Sequence, residues 1–306
     1  MNERYATIDI GTNTILMLIA EKGTKTNLFD ELRDEHEIAR LGEGFATNTT
    51  KYILPHAKER AINILLHYIK LCDEYNVRNI FAVGTSALRE AVNGIEITKE
   101  LSEIIGTEIE LISGEREAEF SFNGAVNNNK SAIVIDIGGG STEIISGENG
   151  KILNMISIPI GAVKLTEQYF RPHPINSEKL KSADNYLEMM FNKLEFDAKN
   201  SDVIAVTGTP TTLAAVDLGL ADFQRTVIEG HKLSINKIND LFELFNTINI
   251  DEIIEKYKVH PNRADVITAG TLILKKVMEK INSNEIIASS KGIRYGMMKQ
   301  LLKIGQ

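Results

Sequence analysis

The feature that most constrains this chain is a tetrapeptide that occurs twice. Ile8-Asp9-Ile10-Gly11 and Ile135-Asp136-Ile137-Gly138 match letter for letter, 127 residues apart (136 less 9). In the second copy, Ala132 to Ile135 is a continuous apolar run that reads as a strand buried on both faces. It delivers Asp136 into Gly138, Gly139 and Gly140, and Ser141, Thr142 and Glu143 then lead into a second strand. Three consecutive glycines cost backbone entropy in any regular element, so this turn needs positive φ or very close backbone approach. Such a strand-turn-strand tip offers amides, two hydroxyls and two carboxylates. The amides can hold a phosphate and the acids a divalent cation. A glycine-rich hairpin without any ligand is the other reading, and the loop alone leaves both open.

A second landmark recurs in the same order. Val83-Gly84-Thr85 follows the strand Ile80 to Ala82, and Thr207-Gly208-Thr209 follows Val203 to Val206, 124 residues apart (208 less 84). Two landmarks with nearly equal spacing predict a duplicated domain, each half supplying one Asp-Gly hairpin and one strand-to-helix Gly-Thr turn. Facing halves would enclose a phosphate chain, since ligands favour clefts between domains. The length of 306 residues suits two domains, each able to bury its own core. The polar run Asn127-Asn128-Asn129-Lys130 marks the expected boundary, giving domains 1–127 and 128–306. The last helix is a candidate to pack back on the first domain.

Composition excludes several classes. No apolar run approaches the roughly 18 residues that cross a bilayer, and the N-terminus lacks a signal-peptide pattern. Cys72 is the single cysteine, so no disulfide framework or thiolate metal cluster is available. It is expected to be a buried neutral thiol, in a protein with a cytoplasmic location. The formal charge of −8 argues against a general nucleic-acid binder. A phosphate-rich ligand would need local basic residues, metal ions or helix N-termini to offset that charge. The sequence has no His-Asp dyad and no clustered histidines, which argues against a histidine-based dinuclear metal site.

The remaining elements follow in order. Strands are predicted over 15–20 and 27–40, then a turn at Leu41-Gly42-Glu43-Gly44. A helix starts at Pro55, with Ile62, Leu65, Leu66, Ile69 and Cys72 as its apolar face; His56 and His67 receive no ligand role. The strand 79–83 feeds a helix that carries Thr85, Ser86 and Arg89 at its start. A helix N-terminus with an arginine nearby is a natural oxyanion site. Equally, Thr85 or Ser86 is a plain N-cap and Arg89 a surface ion pair. After a strand at 108–112, Ser113 opens a helix with Glu115 and Glu117 in its first turns, where the helix dipole favours acids. A capping box from Ser113 would place its glutamate at 116, which is Arg116, so Glu117 is not explained that way. In the second half, strands are predicted at 143–146 and 151–158 and a helix from 159–163 to Phe170. Ser177 then caps a helix to about Phe196, and Pro210 sits at the first helical position after Gly208-Thr209. Helices fill most of 236–281, followed by a strand at 285–288 and a helix at 292–304.

At this point the chain resembles the exopolyphosphatase / guanosine pentaphosphatase family of the actin-like ATPase and sugar-kinase superfamily. The resemblance is carried by Ile8 to Thr14, Gly84 to Ala91, Ile112 to Ala118, Asp136 to Glu143, Gly161 to Leu165, Gly208-Thr209, His260 to Asp265 and Gly292 to Gly296. It implies an α/β fold of two duplicated ribonuclease-H-like domains with an interdomain cleft. It also implies hydrolysis of a terminal phosphoanhydride, with Mg2+ as cofactor and inorganic polyphosphate or the guanosine penta/tetraphosphates as substrate. Carried over by position, Glu117 orients and activates water and Arg89 neutralises transferring charge. Asp136, Glu143 and Asp9 hold the metal, and Thr12, Asn13, Thr14, Gly139, Gly140, Ser141, Gly208 and Thr209 bind phosphates. The first loop has Thr12 and Thr14 where the family commonly has serines; threonine keeps the hydroxyl. Long members carry an added C-terminal His-Asp helical domain that is absent from these 306 residues. A homodimer, with no nucleic-acid or membrane partner, is the expected assembly. Two other classes stay open: an ATP-dependent kinase of the same superfamily, and a non-catalytic alarmone or polyphosphate sensor.

Overall fold

A computed structural model describes residues 3–23, 28–47, 50–126 and 131–304. The expected linker Asn127 to Lys130 and the start of the expected third strand, at Asn27, lie outside the described residues. The chain divides into two compact units, Met1–Gly124 with Gly292–Gln306, and Ala125–Lys291.

The first unit opens with the antiparallel meander β1 (Arg4–Ile10), β2 (Thr14–Lys22) and β3 (Phe29–Ile38). Then come α1 (Pro55–Glu74), β4 (Asn79–Gly84), α2 (Ser86–Glu90), α3 (Gly94–Ile105), β5 (Ile109–Leu111) and α4 (Gly114–Ala125). β4 returns parallel to β1 and β5 parallel to β4, so the sheet runs β3-β2-β1-β4-β5. The second unit repeats the plan with β6 (Ala132–Ile137), β7 (Thr142–Glu148), β8 (Lys151–Ile158), α5 (Ala162–Tyr169), α6 (Ser177–Met190), β9 (Asp202–Val206) and α7 (Gly208–Asp217). It continues through α8 (Arg225–Ile228), β10 (Lys232–Ser234), α9 (Ile235–Thr247), α10 (Ile250–Tyr257), α11 (Pro261–Lys280) and β11 (Glu285–Ser289). Its sheet reads β8-β7-β6-β9-β11, with β10 added antiparallel beyond β11. Two meanders, each extended by two parallel strands in the same order, are the duplicated α/β architecture that the sequence repeat predicts.

Strand register corrects one detail of that repeat. Asp9 lies beside Val83, and Asp136 lies beside Val206. Val206, not Thr207, is therefore the counterpart of Val83, and the second landmark moves by one residue. Letter matching aligned the glycines; backbone pairing aligns the strands.

Each unit has its own apolar core. In α1 the buried face is Ala57, Ala61, Ile64, Leu65, Tyr68, Leu71 and Cys72, whereas Leu66, expected on that face, is 54% exposed. Tyr68 decides the rotation. Its ring is fully buried and its hydroxyl donates to Ile15 O at 2.9 Å, which turns Leu66, two residues or about 200° away, to solvent. Burial pushes the Cys72 thiol up to about 12, in keeping with the expected neutral group. The final helix, α12 (Ile293–Ile304), belongs to the first unit and lays Tyr295, Met298 and Leu302 on Leu18 and Ala20 of β2. Its Arg294 is buried in a two-bond ion pair with Asp34 on β3, at 2.8 and 2.9 Å.

Three helix ends differ from expectation. Asn176, not Ser177, caps α6, accepting from Lys179 N–H at 2.8 Å, and the helix stops at Met190 because Phe191 and Phe196 turn into the core. Pro210 is the third helical residue of α7, because the helix starts at Gly208. The first four helical N–H groups have no intrahelical acceptor, so proline costs no hydrogen bond there either. Among the described residues no helix is long and apolar enough to cross a membrane.

Candidate active site

The tips of the two meanders are built alike. Gly11 N–H donates to Thr14 O at 3.0 Å, and Gly138 N–H donates to Ser141 O at 3.0 Å. A Cβ on Gly11 would lie 2.9 Å from that same Thr14 carbonyl, so the first tip requires glycine at its start. Both tips lie at the carboxyl ends of central strands, where open α/β sheets bind ligands.

In the second unit the glycine tip is tied to the start of α5. Ala162 N–H donates to Gly138 O at 2.9 Å, and Val163 and Lys164 N–H both donate to Gly139 O, at 3.0 and 3.2 Å. The orphan amides of the helix start thus occupy the tip's carbonyls. The fit requires Gly161, whose Cβ would sit 2.5 Å from Gly138 O and 2.6 Å from Gly139 O. Asp136 and Glu143 are cross-strand partners on one face of β6 and β7, buried at 3% and 2% exposure. Ser157 on β8 donates to Glu143 Oε1 at 2.7 Å and fixes that carboxylate. Gly139 and Gly140 form the bend, and Ser141 is buried at its far side. Gly208 and Thr209 open α7 after Thr207, which holds φ at +74°, rare for a β-branched residue. Its hydroxyl donates to Ile137 O at 3.0 Å and knits this turn to the Asp136 strand. Arg263 of α11 donates to Gly208 O at 3.3 Å, and Gly270 leaves the space in which buried Thr209 sits.

In the first unit Asp9 is buried opposite Leu16 and Val83, with no carboxylate as register partner. Thr12, Asn13 and Thr14 form the tip, and Thr85 joins it to β4 by donating its N–H and Oγ1 to Ile10 O at 3.1 and 3.3 Å. Thr85 is the N-cap of α2 without a side-chain capping bond. With five residues, α2 aligns few peptide dipoles, which weakens the expected oxyanion site there. Arg89 instead finds Glu117. Its Nη1 donates to Glu117 Oε1 and to Ile112 O, each at 2.5 Å. Glu117 is 4% exposed whereas the Arg89 side chain is 31% exposed, so the pair is half-buried, with the carboxylate inside and the guanidinium reaching it from the surface. Ser113 accepts from Arg116 N–H at 3.3 Å, the half of a capping box that the sequence allows.

Two features escaped the sequence reading. The fold makes a His-Asp pair, His231 to Asp217 at 2.8 Å, from residues 14 positions apart. Lys237 closes on the same Asp217 carboxylate at 3.0 Å. What Gly161 and Gly42 touch also escaped that reading: Gly161 opens a stretch that carries the resemblance and Gly42 lies in a predicted turn, but their necessity lies in the atoms packed against them. Among the described residues, no three His, Cys, Asp or Glu side chains gather as a metal-holding group. The Asp136–Glu143 pair still fits magnesium, which takes one or two carboxylates and keeps several waters.

The model of the Ppx/GppA phosphatase family matches residues 18–304. The chain belongs to that family. The family is one of phosphatases. It is 33% identical over 299 residues to a bifunctional 3-dehydroquinate synthase/phosphatase of Fusobacterium nucleatum, covering 93% of this chain and 44% of that protein. The chain thus spans less than half the length of that relative. It is 30% identical to exopolyphosphatase 2 of Mycobacterium tuberculosis, covering 91% of each. The crystal structure of the Aquifex aeolicus member of the family superposes with a TM-score of 0.83 at 30% identity, covering 100% of both chains. The two-unit α/β architecture described above is the family's fold.

Proposed function

We propose that this enzyme releases the terminal phosphate of inorganic polyphosphate, of pppGpp, or of both, by attack of water. The observation that supports this most directly is the ion pair of Arg89 with the buried Glu117 carboxylate, in a chain of a phosphatase family. Glu117 orients the water and takes its proton. Arg89, 31% exposed along its side chain, offsets charge on the transferring group. Asp136 and Glu143 hold magnesium, with Ser157 fixing one of the two carboxylates, and Asp9 is assigned the same duty at the matching position of the first unit. Bound there, the cation would spread the charge that develops on the phosphoryl oxygens. The amides and hydroxyls of Thr12, Asn13, Thr14, Gly139, Gly140, Ser141, Gly208 and Thr209 cradle phosphates, because the tip carbonyls are occupied by neighbouring backbone.

The test is kcat/KM for short polyphosphate, long polyphosphate and pppGpp under identical magnesium. Turnover of at least one supports the reading and ranks the substrates. Transfer of the terminal phosphoryl group of ATP to an added acceptor, with no phosphate released from polyphosphate or pppGpp, would replace it with a kinase.

A further inference from the structure

We propose that Arg60 is a positioning residue for the Gly11–Thr14 tip, acting through the segment Ala39–Glu43. The inference rests on the reading of that tip as a phosphate-binding loop. Gly42 N–H donates to Thr12 O at 3.0 Å, and Ala39 and Arg40 N–H both donate to Asn13 O, at 3.0 and 2.9 Å. The segment therefore fixes the backbone of the two residues at the apex of the tip. Two features show how closely it is fitted. A Cβ on Gly42 would lie 2.3 Å from Thr12 Cγ2, and Thr12 is buried. Arg40 is held at φ +53°, a left-handed conformation that a residue with a side chain keeps only when its surroundings impose it.

What holds the segment is α1. Arg60 Nε donates to Ala39 O at 2.8 Å, and its Nη2 donates to Glu43 Oε2 at 2.9 Å. One guanidinium fork thus pins both ends of a five-residue arch, which a lysine ammonium on a flexible stem does not reproduce. His56, one turn earlier on α1, reaches the same Glu43 oxygen at 3.2 Å. Burial opposes ionisation of Glu43, but the bonds from Arg60 and His56 outweigh it and hold the carboxyl below its ordinary range. The side chains of Arg60 and Glu43 are 37% and 36% exposed. An ion pair that open to solvent adds little to global stability. Its consequence is local, in the placement of the Thr12 and Asn13 amides.

The experiment compares wild type, Arg60→Gln and Arg60→Lys in the full chain. Without substrate, amide hydrogen exchange at Arg40 and Gly42 should quicken at least about tenfold in Arg60→Gln, and by less in Arg60→Lys, because one charge-assisted bond at most survives. The Tm should stay within about 2 °C of wild type. With inorganic tripolyphosphate, KM should rise about tenfold while kcat stays within about threefold, the pattern of lost ground-state binding. Unchanged exchange at both amides overturns the proposal whatever the kinetics. So does faster exchange with an unchanged KM, or a fall in Tm and kcat at constant KM, which marks a merely structural residue. Backbone amide chemical shifts of Thr12 and Asn13 in wild type, with and without tripolyphosphate, separate the two levels. If neither moves, the phosphate-binding reading of the tip fails, and the exchange measurement still decides whether Arg60 holds the arch.

Discussion

Replacing Glu117 by glutamine separates chemistry from folding more cleanly than any other change in this protein. The side chain is 4% exposed, and its Oε1 accepts from Arg89 Nη1 at 2.5 Å. Glutamine has the same shape and keeps an acceptor oxygen for Arg89, so only the negative charge and its basicity are lost. The fold then exchanges a charge-assisted bond for a neutral-acceptor one, a loss of about 1 kcal/mol. In a protein of this size that lowers Tm by about 2–4 °C. The rate should suffer far more. A positioned general base contributes about 10²–10⁴-fold, or about 2.7–5.4 kcal/mol at about 1.36 kcal/mol per decade. Single-turnover phosphate release from polyphosphate, with Tm on the same sample and substrate affinity by calorimetry, measures all three. The expected result is a rate loss of at least about 10²-fold with near-native Tm and affinity. Turnover within about threefold of wild type would remove Glu117 from the mechanism and reduce the Arg89 contact to packing.

Other expectations follow from the same geometry. Asp136→Asn should weaken the dependence on magnesium, since half of the register pair that would hold the ion is neutralised; an unaltered magnesium titration would count against that assignment. Gly161→Ala should cost about 1–3 kcal/mol as an overpacked site, because its Cβ meets Gly138 O at 2.5 Å. It should also raise KM by displacing the tip, read by Tm and steady-state kinetics together. Cys72, held neutral by burial with its thiol pushed up to about 12, should resist alkylation in the native state at pH 8. Its raised folded value also fixes a sign. The contribution is fully present below the unfolded thiol's ordinary range and is lost as pH rises toward 12, by up to about 1.4 kcal/mol per pH unit. Alkaline denaturation of Cys72→Ala should lack that component, and identical pH slopes would refute it.

The chain's local chemistry settles a definable part of this protein. The repeated Ile-Asp-Ile-Gly, the apolar runs before it and the glycines after it dictate two strand-turn-strand tips, because strand period acts over a few residues and glycine admits the close backbone approach seen at Gly11 rather than a positive φ. The same information places Glu117 and Arg89 each at a helix start, yet it leaves both with ordinary explanations. Only the folded chain joins them, across 28 residues, in a half-buried pair. Tertiary packing likewise chose the buried face of α1, through Tyr68, and moved the second landmark by one residue, through strand register. It made Gly161 and Gly42 indispensable by placing Gly138 and Thr12 against them, and it brought Arg294 to Asp34 across 260 residues. Such contacts depend on which surfaces are buried against one another. That choice is made by the whole core at once, so no window of neighbouring residues contains it.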